Sequence, residues 1–287
     1  MKASIIVPVF NAGPYLARTL PSWLDQAGVG DYEVILVDNN STDGALEGLP
    51  GHPRLRLLSE PEQGAYRARN RGVETASGEI LIFTDPDCRA EPTWLAELLA
   101  RMADPGVELV MGRDRHEGDG RSIRLLSAYD DVKEWWTLSQ DDPSLYYGHT
   151  NNMAVSRAAW AATGPFVPLS RGGDVILVHR VVERFDTRAV VYHPVALVHH
   201  LEVDTPTAYF RKCRLYGRSY RQYRRVVNAR PLAWRDRWSV YRETVRRERL
   251  APIEAFRLLS LLFFGVACYW WGRRLDRSSL ENGGAPR

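Results

Sequence analysis

Short apolar runs separated by amphipathic stretches constrain this chain more than any other feature. Ala3-Ser4-Ile5-Ile6-Val7-Pro8-Val9 is rich in β-branched residues and reads as a buried strand. Residues 33–37, 54–58, 79–84 and 108–112 read the same way. Between the first two runs, Leu16, Leu20, Trp23 and Leu24 recur at helical spacing. Residues 64–76 and 93–102 repeat that pattern. Strands alternating with helices predict an α/β fold. Its sheet is mainly parallel, built by right-handed crossovers and flanked by helices.

Polar clusters follow two of these strands. The second runs into Asp38-Asn39-Asn40-Ser41-Thr42-Asp43, the fourth into Asp85-Pro86-Asp87. Open α/β sheets bind ligands at the carboxyl ends of their strands, so the two clusters mark the expected crevice. No Gly-x-Gly-x-x-Gly follows the first strand and no phosphate-loop lysine motif is present. That counts against dinucleotide dehydrogenases and phosphate-loop NTPases. From 113 to 200 the pattern is less regular. It predicts a charged loop at 114–119 and helices at 122–138, 150–163 and 174–183. Two short strands follow, at 189–192 and 196–198, either side of Pro194.

Two carboxylates at i and i+2 after a buried strand repel one another, and one pKa rises unless a cation is present. A hard divalent metal, taking oxygen ligands from Asp85-Pro86-Asp87 and a diphosphate, resolves that conflict. The plainer reading of the same residues is a surface turn.

The motifs then converge. Val7-Pro8-Val9-Phe10-Asn11, Val37 to Asp43, Gly64 with Ala68-Arg69-Asn70-Arg71-Gly72, and Asp85-Pro86-Asp87 occur in one order. Together they resemble family-two glycosyltransferases of the GT-A fold, over about residues 3–200. The resemblance implies a nucleotide-sugar site. Pro8, Phe10 and Asn11 would lie against the base, with Asp38 contacting it and Asn40 in the same turn. Arg69 and Asn70 would face the ligand. Asp85 would serve the ribose and metal region, and Asp87 would bind Mg or Mn directly. Asp174, opening a helix after Gly173, would be the general base, although the acidic partner usual before it is missing. A helix N-cap is the alternative for Asp174. The helix dipole favours its ionised form and predicts a weak base. His199 or His200, with His199 the nearer candidate, would supply a third metal ligand. Neighbours on a strand face opposite ways, so at most one reaches the site.

Composition separates the tail from this body. Residues 201–250 hold 14 Lys and Arg against 5 Asp and Glu, a net of +9, whereas residues 1–200 carry −8 and residues 251–287 carry +2. Only Lys2, Lys133 and Lys212 are lysines in a chain with 38 basic residues. From Arg211 to Arg225 the basic residues interleave with Tyr216, Tyr220 and Tyr223, a pattern for nucleic acid or anionic lipid. Residues 258–272 carry no charge, which favours lipid. That run would reach about 22 Å as a helix, short of a bilayer core of about 30 Å. Trp270, Trp271, Arg273 and Arg274 resemble an interfacial anchor, so an in-plane helix is expected. A helix buried on the body or in an oligomer interface is the alternative.

Three cysteines are too few and too dispersed for a disulfide framework. The chain begins directly with a core strand, so we expect no export leader and a cytoplasmic setting, peripheral on the inner membrane face. The expected organisation is a donor-binding half at 1–112, an acceptor and catalytic half at 113–204, and a basic helical tail at 205–287. The expected activity is inverting transfer from a nucleotide diphosphate sugar, UDP favoured through Asp38, to a glycan or lipid-linked acceptor. Partners would be an anionic membrane and no nucleic acid. A sugar-phosphate nucleotidyltransferase shares the scaffold, but its Gly-rich signature is absent. A non-enzymatic membrane adaptor would explain only the tail.

Overall fold

β1 (Ala3–Val9) lies inside a parallel block. It pairs with β2 (Tyr32–Asp38) on one side and β4 (Ile80–Thr84) on the other, and β3 (Leu55–Ser59) lies outside β2. The computed structural model describes residues 2–49 and 51–281, with side chains through 275. β1, β2 and β4 are buried on both faces because both are covered, whereas β3 is a partly exposed edge. Ile5, Val7, Val34, Leu36 and Ile82 pack under α1 (Gly13–Leu24) and α3 (Trp94–Met102). Ile6, Ile35, Leu81 and Phe83 pack under α2 (Ala65–Thr75), with α5 (Arg157–Thr163) and α6 (Gly173–Arg184) on the same side.

The far half of the sheet departs from the expected pattern. β5 (Cys88–Ala90), β6 (Leu109–His116), β7 (Asn152–Ser156) and β8 (Val190–His200) complete the order β3-β2-β1-β4-β7-β6-β8-β5. The sheet is mixed, since β7 runs antiparallel to both β4 and β6, and β5 antiparallel to β8. The helix expected over 150–163 is therefore a central strand followed by the short α5. Its alanine-rich end masked the run Met153-Ala154-Val155, which pairs with β4 and β6. Asn152 is fully buried there. Its amide donates to Arg113 O (2.8 Å) and Ala196 O (2.9 Å) and accepts from Trp94 Nε1 (2.8 Å). The two strands expected around Pro194 are one. Its register against β6 shifts at Gly112/Arg113, and a missing N–H is tolerated at such an irregularity.

The tail forms α7 (Pro206–Arg224), α8 (Trp234–Arg247) and α9 (Pro252–Glu281). Leu258 and Val240 are fully buried against Leu125, Tyr129 and Val132 of α4 (Arg121–Leu138). α9 packs along α7 at two glycines. A Cβ on Gly272 would lie 2.0 Å from Arg214 O, and one on Gly217 2.1 Å from Tyr269 O. The apolar helix is longer than the uncharged run implied. Pro252–Leu275 spans 24 residues at a mean hydropathy of 1.5. By length and composition that suffices to cross a bilayer, at about 36 Å. Its outer side leaves Ile253, Phe256, Phe263, Phe264, Trp270 and Trp271 exposed.

Candidate active site

The turns after β1 and β2 lock onto each other. Asn11 and Asn40 both take positive φ (50° and 68°), a conformation that Asn tolerates. Asn11 Oδ1 accepts from Thr42 N (2.8 Å), Ser41 Oγ from Asn11 N (3.2 Å), and Asp43 Oδ2 from Gly13 N (2.8 Å). Pro8, Phe10 and Asn11 reach a cavity of about 960 Å³ at the carboxyl ends of the strands. Asp38 and Asn40 do not line it. Asp38 accepts from Ser41 N within its own turn (3.0 Å), and Asn40 donates to Pro61 O (3.0 Å).

α2 divides its two candidates by helical phase. Arg69 is buried, faces the cavity, stacks on Tyr66 (5.4 Å to the ring centroid) and ion-pairs with Asp85. Asn70 points elsewhere, exchanging two hydrogen bonds with the Phe166 backbone (2.9 and 3.0 Å). It fastens the Phe166 loop and does not face the ligand.

Asp87 lies at the centre of the charged floor. Its Oδ2 is 2.9 Å from His200 Nε2, and His200 Nδ1 is 3.1 Å from Asp114 Oδ2. The placement of His199 is a correction. β5 pairs Cys88 with His200 and Arg89 with His199, so strand alternation turns His199 away, onto Glu91 (2.6 Å). His200 reaches the site instead. Asp85 also leaves the expected metal group, its carboxylate being engaged by Arg69.

Asp114, His116, Glu134, His149 and Lys212 join this floor; the sequence drew notice to His149 only within an aromatic cluster and to Lys212 only within the basic tail, and placed none of the five beside Asp87. A signal existed for two of them. Arg113-Asp114-Arg115-His116 alternates with period two, which marks a strand continuing past Gly112 and not a loop. From α7, Lys212 Nζ lies 2.7 Å from His200 Nε2 and 3.0 Å from Glu202. Asn151 Nδ2 donates to Asp114 (2.7 Å), and His149 joins Asn151 to Glu134.

Electrostatics follow from this packing. Burial works against the Asp87 carboxylate, but His200 and then Lys212 hold its pKa below the usual value. Burial would likewise depress His200, yet Asp87 and Asp114 lift it to about 10, against the opposing charge of Lys212. Asp114 is held well below the carboxylate range by His200, His116 and His149 despite its burial.

Asp174 sits in the first turn of α6, beneath Tyr66. Gly172, just before it, takes φ 89°, and a Cβ there would lie 2.4 Å from Tyr223 Cδ1. The Asp174 pKa is raised by burial, which outweighs the Tyr66 hydroxyl, the Val175 N–H and Arg69. The weak base expected from the helix dipole is thus corrected. Desolvation beside Tyr66 outweighs the dipole.

The donor set suits a divalent cation. Asp87, Cys88 and His200 offer donor atoms within 4.8 Å of one another, as do Asp114, His116 and His200. Asp114 Oδ1 and His116 Nδ1 are buried without a hydrogen-bond partner among the described residues. Carboxylate with imidazole fits Mn, whereas burial raises the Cys88 thiol well above its usual pKa and makes it a poor ligand.

Residues 4–164 match the family model described as Glycosyl transferase family 2. The chain belongs to that family. Among its relatives, the glycosyltransferase AglE of Haloferax volcanii is 31% identical over 189 residues, covering 63% of this chain and 61% of AglE. The poly(ribitol-phosphate) β-N-acetylglucosaminyltransferase TarP of Staphylococcus aureus is 31% identical over 128 residues, covering 42% and 39%. The chain therefore spans less than two thirds of either relative. Two solved structures share the GT-A fold. The mannosyltransferase PcManGT of Pyrobaculum calidifontis, in complex with GDP-Man and Mn2+, superposes with a TM-score of 0.59 at 21% identity over 93% of this chain and 75% of that one. S. aureus TarS 1–349 with UDP-GlcNAc gives 0.58 at 16% identity, covering 100% and 93%.

Proposed function

We propose that this family-two chain is a metal-dependent inverting glycosyltransferase, moving a sugar from a nucleotide diphosphate donor to a hydroxyl of a glycan or lipid-linked acceptor. The observation that carries this reading is one cavity holding both the Asp87–His200 pair and the half-buried Asp174 carboxylate. The donor complexes of TarS, with UDP-GlcNAc, and PcManGT, with GDP-Man, support a nucleotide sugar; Asp38, turned into its own loop, gives no preference for UDP over GDP.

The nucleotide rests against Pro8, Phe10 and Asn11; residues 1–112 serve the donor, joined by Asp114 and His200 from 113–204, the half that otherwise serves the acceptor. Arg69, neutralised in part by Asp85, positions the ribose and diphosphate. Asp174 accepts the proton of the acceptor hydroxyl. The freed oxygen attacks the anomeric carbon opposite the diphosphate, the bond to the diphosphate breaks, and configuration inverts. Asp87, His200 and Asp114 would hold Mg or Mn, which when bound supplies positive charge beside the departing diphosphate.

Residues 205–287 rest on an anionic membrane face, the inner face of the cell membrane in this reading, with α9 lying in its plane. α7 packs along α9 and carries Arg211, Arg214 and Arg218 beside it. A spanning α9 would draw those charges toward hydrocarbon, at a cost of several kcal/mol.

The test is direct. Asp87→Asn should abolish Mn-stimulated transfer while circular dichroism shows the fold retained, with a lower unfolding midpoint because the His200 ion pair is lost. His200→Ala should weaken Mn binding, while His199→Ala should not. Full activity in excess chelator would overturn the metal assignment.

A further inference from the structure

The cavity does not end at its carboxylates. It continues to α8 and α9, where Trp238, Leu259, Leu262, Phe263 and Val266 line it. Every α9 residue on that wall is uncharged, and α8 adds one charge to it, Arg237. The two helices are pinned near their joint, where the Tyr241 hydroxyl donates to Ala255 O (3.1 Å). The lining residues lie beyond that pin. Phe263 and Trp238 are 68% and 51% exposed, so they border the mouth as well as the wall. One cavity thus has a charged end, at Asp87 and Asp174, and an apolar arm opening among exposed aromatic side chains.

We propose that this arm is the binding site for the hydrocarbon chain of a lipid-linked acceptor, which reaches the carboxylates sideways through the opening between α8 and α9. The inference rests on the glycosyltransfer reading for the role of the charged end. A ligand that matches both ends is an amphiphile, with a hydroxyl-bearing head and an apolar chain. Sugar hydroxyls placed against Leu259, Leu262 and Val266 would lose their hydrogen bonds there. The mouth also belongs to the surface assigned to the bilayer, so a chain passes from lipid to protein without crossing water.

The experiment needs neither donor nor metal. A benzophenone-bearing farnesyl alcohol is presented to the full chain in mild detergent, irradiated, and the labelled peptides are mapped. Label is expected on residues 234–241 and 259–269. Val266→Trp, which fills the arm, should cut that label at least about tenfold. Phe263→Asp alters only an exposed mouth residue, keeps the fold, and should do the same. Three results would overturn the proposal. One is label confined to outward residues such as Ile253, Phe256 and Trp271. Another is label unchanged in both variants. The last is label displaced by a soluble oligosaccharide but not by excess farnesol. Labelling proceeds without turnover, so a failed label leaves glycosyl transfer standing, and a failed transfer assay leaves the chain site standing.

Discussion

Asp174 opens α6 with its carboxylate beneath Tyr66, and that burial decides how the enzyme should respond to pH. A base must be ionised to accept a proton. Because its pKa is raised, kcat/KM should fall as pH drops through that raised value, above the range of an exposed carboxylate. Asp174→Asn should remove this acidic limb and lower turnover at least about a hundredfold, the low end for general-base catalysis. Nucleotide affinity, read by calorimetry, should stay unchanged; a parallel loss would assign Asp174 to the donor or the fold. Lys212 makes the opposite kind of prediction. Its ammonium lies 2.7 Å from His200 Nε2, where it repels an incoming cation. Lys212→Met should therefore tighten Mn2+ binding, as measured by electron paramagnetic resonance, even if transfer slows. Weaker binding would mean that the lysine orders the ligands.

Among the elements, the α7–α9 contact is the most sensitive to side-chain volume. At Gly217 and Gly272 an added Cβ meets a backbone carbonyl at 2.1 and 2.0 Å, and backbone cannot swing away. Gly272→Ala should destabilise the chain by about 1–3 kcal/mol through overpacking, seen as a lower denaturation midpoint. Gly30→Ala, with nothing within 4 Å, should change stability by less than about 0.5 kcal/mol. The elements also explain what was legible beforehand. β1, β2 and β4 are apolar on both faces, and their ends carry the polar turns, so local pattern sufficed for that block and for placing Asp85 and Asp87 at its carboxyl edge. β7 was hidden because three apolar residues precede a helical alanine run. The choice of His200 over His199 depends on the β5–β8 register, a long-range pairing that no local window contains. The Asp114–His200–Lys212 floor needs β6, β8 and α7 together, and only tertiary structure supplies that.

For the whole molecule, the proposed membrane contact follows from an acidic body joined to a basic, aromatic tail. Sedimentation with anionic vesicles should show binding that weakens as salt rises, since exposed charges are screened over about 10 Å at 0.1 M. A salt-resistant remainder should persist from apolar contact. Phe256→Ser with Trp270→Ser, both exposed, is the sharper perturbation. Deleting α9 would also strip Leu258 from its pocket on α4. If the full chain ignores anionic vesicles, the exposed aromatic face belongs to a protein interface instead. The strand order has one more consequence. β7 comes late in the chain yet fills the gap between β4 and β6, and β8 supplies His200 from later still. A chimaera that exchanges donor specificity by grafting residues 1–112 would put a foreign β4 against a resident β7, with Phe83 and Met153 meeting across the seam. β5 and the start of β6 travel with the graft too, so its success would turn on matching their rows against β7 and β8 as well, whatever nucleotide the graft was chosen to bind.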